Sequence, residues 1–142
     1  MRITIAFMIF LLLVTSIHAI HVNGFETSDL PDLSPATGQP ADRHVARPLG
    51  STSATQGYYE YLPPGYAQNT QEYPLLLFIH GLGENGDGDG QLSRVLANGP
   101  PRLINNNSWD ESLPFVVLSP QRSGGGCTSS NQIRDFIDFA LL

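Results

Sequence analysis

A chain of 142 residues has room for one domain of ordinary size at most. Its formal net charge is −6, and every basic residue is an arginine with no basic stripe among them, so nucleic acid is not expected as a partner. The single cysteine, Cys127, excludes a disulfide within the chain.

The N-terminus reads as a secretory leader, 1–19. Met1-Arg2 is a short positive start, Ile3 to Val14 is apolar apart from Thr4, and Ala19 closes a small-residue cleavage region. The apolar run falls short of the roughly 20 residues a membrane span needs. A secreted or periplasmic chain is therefore expected, with no stable membrane association after leader removal. Residues 20–56 spread Pro31, Pro35, Pro40 and Pro48 among small polar residues and are expected to form a disordered linker. Its His21 and His44 are isolated and are expected to be solvated.

The folded part is expected from 57 to 142. Tyr58–Leu62 reads as an aromatic strand ended by Pro63-Pro64-Gly65. The strand Leu75–His80 follows, and its run Leu75-Leu76-Leu77-Phe78-Ile79 has no polar break, as suits a strand covered on both faces. Leu92, Val95 and Leu96 mark a short amphipathic helix, closed by Asn98-Gly99 and barred from continuing by Pro100-Pro101. Asn105–Ser108 is a turn, and Phe115–Ser119 is the next strand. After a glycine-rich loop, Ile133, Phe136, Ile137, Ala140 and Leu141 define a helix face, with Ser129 or Ser130 as its cap. From Leu75 onward the alternation strand, helix, strand, helix predicts an α/β fold with a parallel sheet. So few strands leave the buried run short of neighbours, and the chain is expected to be the front part of a longer protein.

The stretch Tyr73–Gly90 is central to any function. A strand leaving the buried sheet through His80-Gly81-Leu82-Gly83 presents backbone N–H groups where open α/β sheets bind ligands. Such a loop suits an anion, or an oxygen that becomes one. Asn85, Asp87 and Asp89 match the first half of a calcium loop, but the position that should supply a bidentate acid is Leu96, and no metal site is expected. Cys127 lies well past the end of the nearby strand with no histidine following it, so it is read as an incidental loop thiol. Glu84 is read as an exposed loop acid and Trp109 as a packing residue.

The segments Gly57–Tyr66, Tyr73–Gly81 and Pro114–Gln121, in that order, resemble the start of α/β-hydrolase esterases. The nearest groups are the secreted polyhydroxybutyrate depolymerases, feruloyl esterases and phospholipase/carboxylesterase-like enzymes. The resemblance covers 57–142 and implies the N-terminal half of an α/β-hydrolase domain, a mostly parallel sheet flanked by helices, truncated before the nucleophile elbow. It implies a carboxylic-ester hydrolase with a serine nucleophile and no cofactor, acting on a small or polymeric ester. In that pattern the backbone N–H of Leu82, flanked by Gly81 and Gly83 to let the chain turn, is one donor of the oxyanion hole. No Gly-x-Ser-x-Gly motif is present, so no catalytic residue is assigned within the chain. The nucleophile, acid and histidine are expected beyond Leu142, and the chain alone is expected to be inactive. The alternative is a non-catalytic secreted binding module whose Gly/Asp-rich loop holds calcium or another ligand.

Overall fold

The computed structural model describes residues 38–141. The leader, His21 and the first part of the 20–56 stretch lie outside the described residues. Four strands form one sheet: β1 (His44–Arg47), β2 (Tyr58–Tyr61), β3 (Leu75–Leu77) and β4 (Val116–Pro120), in the order β1-β2-β4-β3. β2 runs antiparallel to both of its neighbours, and β3 runs parallel to β4. The sheet is thus mixed, with one parallel pairing where a mostly parallel sheet was expected. The connection 48–57 is too short for a helical crossover, so β1 and β2 pair antiparallel, whereas 78–115 accommodates one.

Side chains alternate across the sheet. Tyr58, Val116 and Leu118 pack with Phe136, Phe139 and Ala140 of α2 (Ser130–Leu141). Tyr61 and Val117 pack with Ile104 of α1 (Gly99–Asn105) on the opposite face, beside Trp109. Tyr58 meets the edges of Phe136 and Phe139 at ring-centroid distances of 5.3 and 5.7 Å, a geometry favoured by the ring quadrupoles. Ser129 and Gln132 cap α2 reciprocally, the Gln132 N–H donating to Ser129 Oγ and the Ser129 N–H to Gln132 Oε1. The predicted face of α2 holds at Phe136 and Ala140. It misses buried Phe139, while Leu141 is exposed.

The uninterrupted apolar run of β3 has its physical reason here. Leu75 and Leu77 reach the cluster under α2, and Leu76 reaches the one under α1. Yet β3 lies at the sheet edge, so its leucines are only half-buried, and after Leu77 the ladder continues only through the Phe78 N–H to the Leu118 carbonyl at 2.9 Å.

Three expectations are corrected. First, part of the expected linker is folded: a 3-10 turn at Pro40–Arg43 leads into β1. Arginines rather than apolar residues fasten it. Buried Arg43 pairs with Glu111 and lies over the Tyr61 ring at 5.8 Å, and Arg47 pairs with Glu60. Second, Leu92–Ala97 is a 3-10 helix that ends at Asn98 as expected, but Pro100-Pro101 also lie in the first turn of a further helix, α1. Proline at the first helical positions has a preset φ and lacks an N–H that would be unpaired there anyway. Gly99, just before them, has φ +61°, and a Cβ would lie 2.4 Å from the Phe78 ring. Gly99→Ala should therefore destabilise the fold by about 1–3 kcal/mol, read from a thermal melt.

Third, His44 is not solvated. It stands opposite Tyr61 in the β1–β2 pair, its ring packs on Tyr59 at 4.9 Å, and both ring nitrogens are buried without a hydrogen-bond partner. Desolvation pushes its pKa from 6.5 down to about 4. The unfolded chain takes up this proton near pH 6.5 and the folded chain only near pH 4. The associated stability is complete above 6.5 and is lost as pH falls towards 4, a change on the order of 3 kcal/mol. Urea unfolding between pH 7 and 4.5 should show the decline. His44→Phe, which keeps a ring on Tyr59, should remove most of it; an unchanged pH slope would contradict this role.

Candidate functional site

Beyond β3 and β4 the two chains leave the sheet side by side and are stitched together. His80 makes the first stitch. Its Nε2 lies 2.9 Å from the Arg122 backbone nitrogen, which can only donate, so Nε2 is the acceptor. The ring proton of this neutral imidazole then sits on Nδ1, 2.6 Å from the Gly81 carbonyl. Both nitrogens are engaged, so His80 holds the loop in place and has no free lone pair to act as a base.

Gln121 makes the second stitch. It is buried at 1% exposure directly after β4. Its amide nitrogen donates to the carbonyls of Glu84 and Gln91 at 2.9 and 2.7 Å, and its amide oxygen accepts the Gly88 N–H at 2.8 Å. One side chain thereby fixes the loop 84–91 at three points. The close approach requires glycine at position 86, where a Cβ would fall 2.5 Å from the Gln121 amide. The Gly86 N–H donates to the Arg122 carbonyl at 3.0 Å, and the Asn85 amide donates to the Gly126 carbonyl at 3.0 Å.

Glu84 is buried rather than exposed, and its carboxylate accepts the Asn98 side-chain amide. The acids of the calcium-like segment serve the backbone: Asp87 Oδ1 accepts the N–H groups of Asp89 and Gln91 at 3.0 and 2.9 Å. These hydrogen bonds hold the Asp87 carboxyl below its usual range. Among the described residues no group of three His, Cys, Asp or Glu side chains could hold a metal ion. Cys127 is a free, exposed thiol in the loop before α2, and Trp109 packs against Tyr61.

These loops frame an open cleft of about 630 Å³. It is lined by Leu82, Gly83 and Asn85 from the first loop and by Ser123 to Gly125 from the second, which are bridged at Gly86 and Ser123, and by Gln91 and Arg94. Leu82–Glu84 forms a single 3-10 turn after Gly81. The first N–H groups of such a turn have no acceptor within it, and Leu82 and Gly83, the first two residues of the turn, both line the cleft. Neither Gly81 nor Gly83 has a positive φ, so the turn does not require glycine for its backbone angles. Gly83 has open space where a side chain would be, and a Cβ on Gly81 would approach the Glu84 carboxylate at 3.2 Å. All three residues singled out from the sequence, Gly81, Leu82 and Gly83, thus lie in the loop that edges the cleft. Gln121 was missed because its partners are brought to it only by the crossover between β3 and β4, and Arg94 because its bond to the Asn85 carbonyl, nine residues back, leaves no periodic signal. The arrangement offers fixed backbone donors beside a solvent-accessible cleft, which suits an oxygen bearing negative charge.

No family model matches the sequence. Endo-1,4-beta-xylanase Y of Acetivibrio thermocellus is 30% identical over 100 residues, which make up 68% of this chain and 8% of the xylanase. The chain is therefore similar to a segment of a hydrolase and spans less than a tenth of that protein's length. A match of that share implies a relative on the order of a thousand residues long, enough for several domains. Among the described residues, no helix is long and apolar enough to cross a membrane.

Proposed function

We propose that this chain supplies the oxyanion loop of a secreted carboxylic-ester hydrolase with a serine nucleophile, and that the nucleophile lies in sequence beyond Leu142. One observation carries the reading. The third strand of the sheet runs into a 3-10 turn whose first residues, Leu82 and Gly83, line a cleft. In α/β-hydrolases one oxyanion donor comes from the loop after the third strand, and the other from the residue following the serine. A parallel β3–β4 pair with helices on both faces, and a β3 edge unpaired among the described residues where a further strand can add, are compatible with the front half of that fold. Similarity to a segment of a xylanase supports hydrolysis in general. It favours an ester carried on a xylan chain as the substrate, with this segment acting beside the glycan-cleaving part.

The loop's own side chains favour this over a calcium-holding module, since Asn85 and Asp87 are both engaged in fixing the loop. The test is labelling of the protein from cells that express the gene with a fluorophosphonate, which reacts with activated serines. The expected result is one labelled serine within Gly-x-Ser-x-Gly, on the same polypeptide as peptides from 57–142. An unlabelled polypeptide ending at Leu142 would overturn the proposal.

A further inference from the structure

Among the described residues Arg94 is the one cationic side chain lining the cleft; it is exposed, and its guanidinium bonds to the loop backbone. It projects from the 3-10 helix Leu92–Ala97, and Nη1 donates to the Asn85 carbonyl at 2.8 Å. That bond occupies one of five N–H donors in a rigid planar fork. No carboxylate among the described residues lies within ion-pair distance of it, although the Asp87 carboxylate is near enough to feel its charge. The other charged residue lining the cleft, Asp87, has one carboxylate oxygen committed to the N–H groups of Asp89 and Gln91. Gly124 and Gly125, which line the same cleft, carry no side chain, and a Cβ on either would meet no atom within 4 Å. An arginine anchored to backbone, with donors still available in an open cleft, is suited to receive a carboxylate.

We infer that Arg94 determines specificity by binding an anionic group on the substrate, a second carboxylate that is not cleaved. This rests on the ester-hydrolase reading, because the Leu82 and Gly83 N–H groups border the same cleft and are left for the scissile carbonyl. In a chain of net charge −6, a general attraction for anions is not expected, so selectivity would come from this one fixed fork.

The experiment is an NMR titration of the 142-residue chain with monomethyl succinate, which carries one ester and one carboxylate, and with the neutral dimethyl ester. Monomethyl succinate should shift the Arg94 Nε–H and the Leu82, Gly83 and Gly124 amides saturably, and the dimethyl ester should bind at least about tenfold more weakly. Arg94→Gln should weaken monomethyl succinate by a similar factor and leave the dimethyl ester unchanged. Arg94→Lys should fall between them, because a point charge replaces the fork. Equal binding of both esters, or undiminished binding to Arg94→Gln, would overturn the inference. Shifts at Arg94 and Gly124 without Leu82 or Gly83 would uphold the anion subsite and count against the ester reading. Shifts at Leu82 with the dimethyl ester alone would do the reverse.

Discussion

Arg47→Met should lower the stability of the chain at pH 7 by about 3–5 kcal/mol, a fall in melting temperature of about 15–30 °C for a domain of this size. Glu60 is 1% exposed and lies on the face of the sheet that α2 covers. Its Oε2 accepts from Arg47 Nε at 2.9 Å, while Oε1 is buried without a hydrogen-bond partner. Burial pushes the Glu60 carboxyl above its usual range, and Arg47 pulls it back. Removing the arginine leaves a buried carboxylate without that counter-charge, a far larger penalty than losing a surface pair.

The pH dependence has a definite sign. An acid whose folded pKa lies above its unfolded value favours folding most at low pH, and that advantage is lost as pH rises through the unfolded pKa towards the folded one. Arg47→Met raises the folded pKa of Glu60 further, so the deficit against the parent should widen from pH 4.5 to 7.5. The double variant Arg47→Met/Glu60→Gln should recover a substantial part of the loss. Urea titrations of the four chains of this cycle measure the coupling directly, and additive losses would show that the pair is not coupled.

What was legible in the sequence follows a physical line. Apolar runs marked β3 and β4, because leucines that pack on both faces leave no polar alternation. The period of α2 was legible because Phe136 and Ala140 repeat at helical spacing. β1 was not, since it is attached by Arg43, His44 and Arg47, residues whose burial depends on distant Glu111, Tyr59 and Glu60. The same reason hid the state of Glu84, which is buried with its carboxylate on Asn98, fourteen residues away. Pro100-Pro101 marked the stop after Leu92–Ala97 but hid the start of α1, because a proline pair signals a stop and a start equally well. At the site, the glycines of 81–90 were conspicuous, but the reason first given for two of them fails. Gly81 and Gly83 have no unusual backbone angles, whereas Gly86 is dictated by Gln121, whose burial in the loop no local pattern announces.

Leu82→Pro, compared with Leu82→Ala, tests most directly whether this loop stabilises an oxyanion. The position suits the substitution. Leu82 is the first residue of its 3-10 turn, where a proline φ fits and no internal hydrogen bond is lost. Gly81 before it has ψ −179°, the extended conformation that a following proline demands. The Leu82 side chain is 61% exposed, so its removal disturbs little packing. The measurement is kcat for an ester substrate in the polypeptide that carries the Gly-x-Ser-x-Gly segment, with circular dichroism and melting matched to the parent. Leu82→Ala should change kcat modestly, because the donor is main-chain. Leu82→Pro should lower it by roughly 10²-fold or more, the scale of one oxyanion donor. A well-folded Leu82→Pro enzyme with the parent's kcat would contradict the assignment and leave the loop a structural turn.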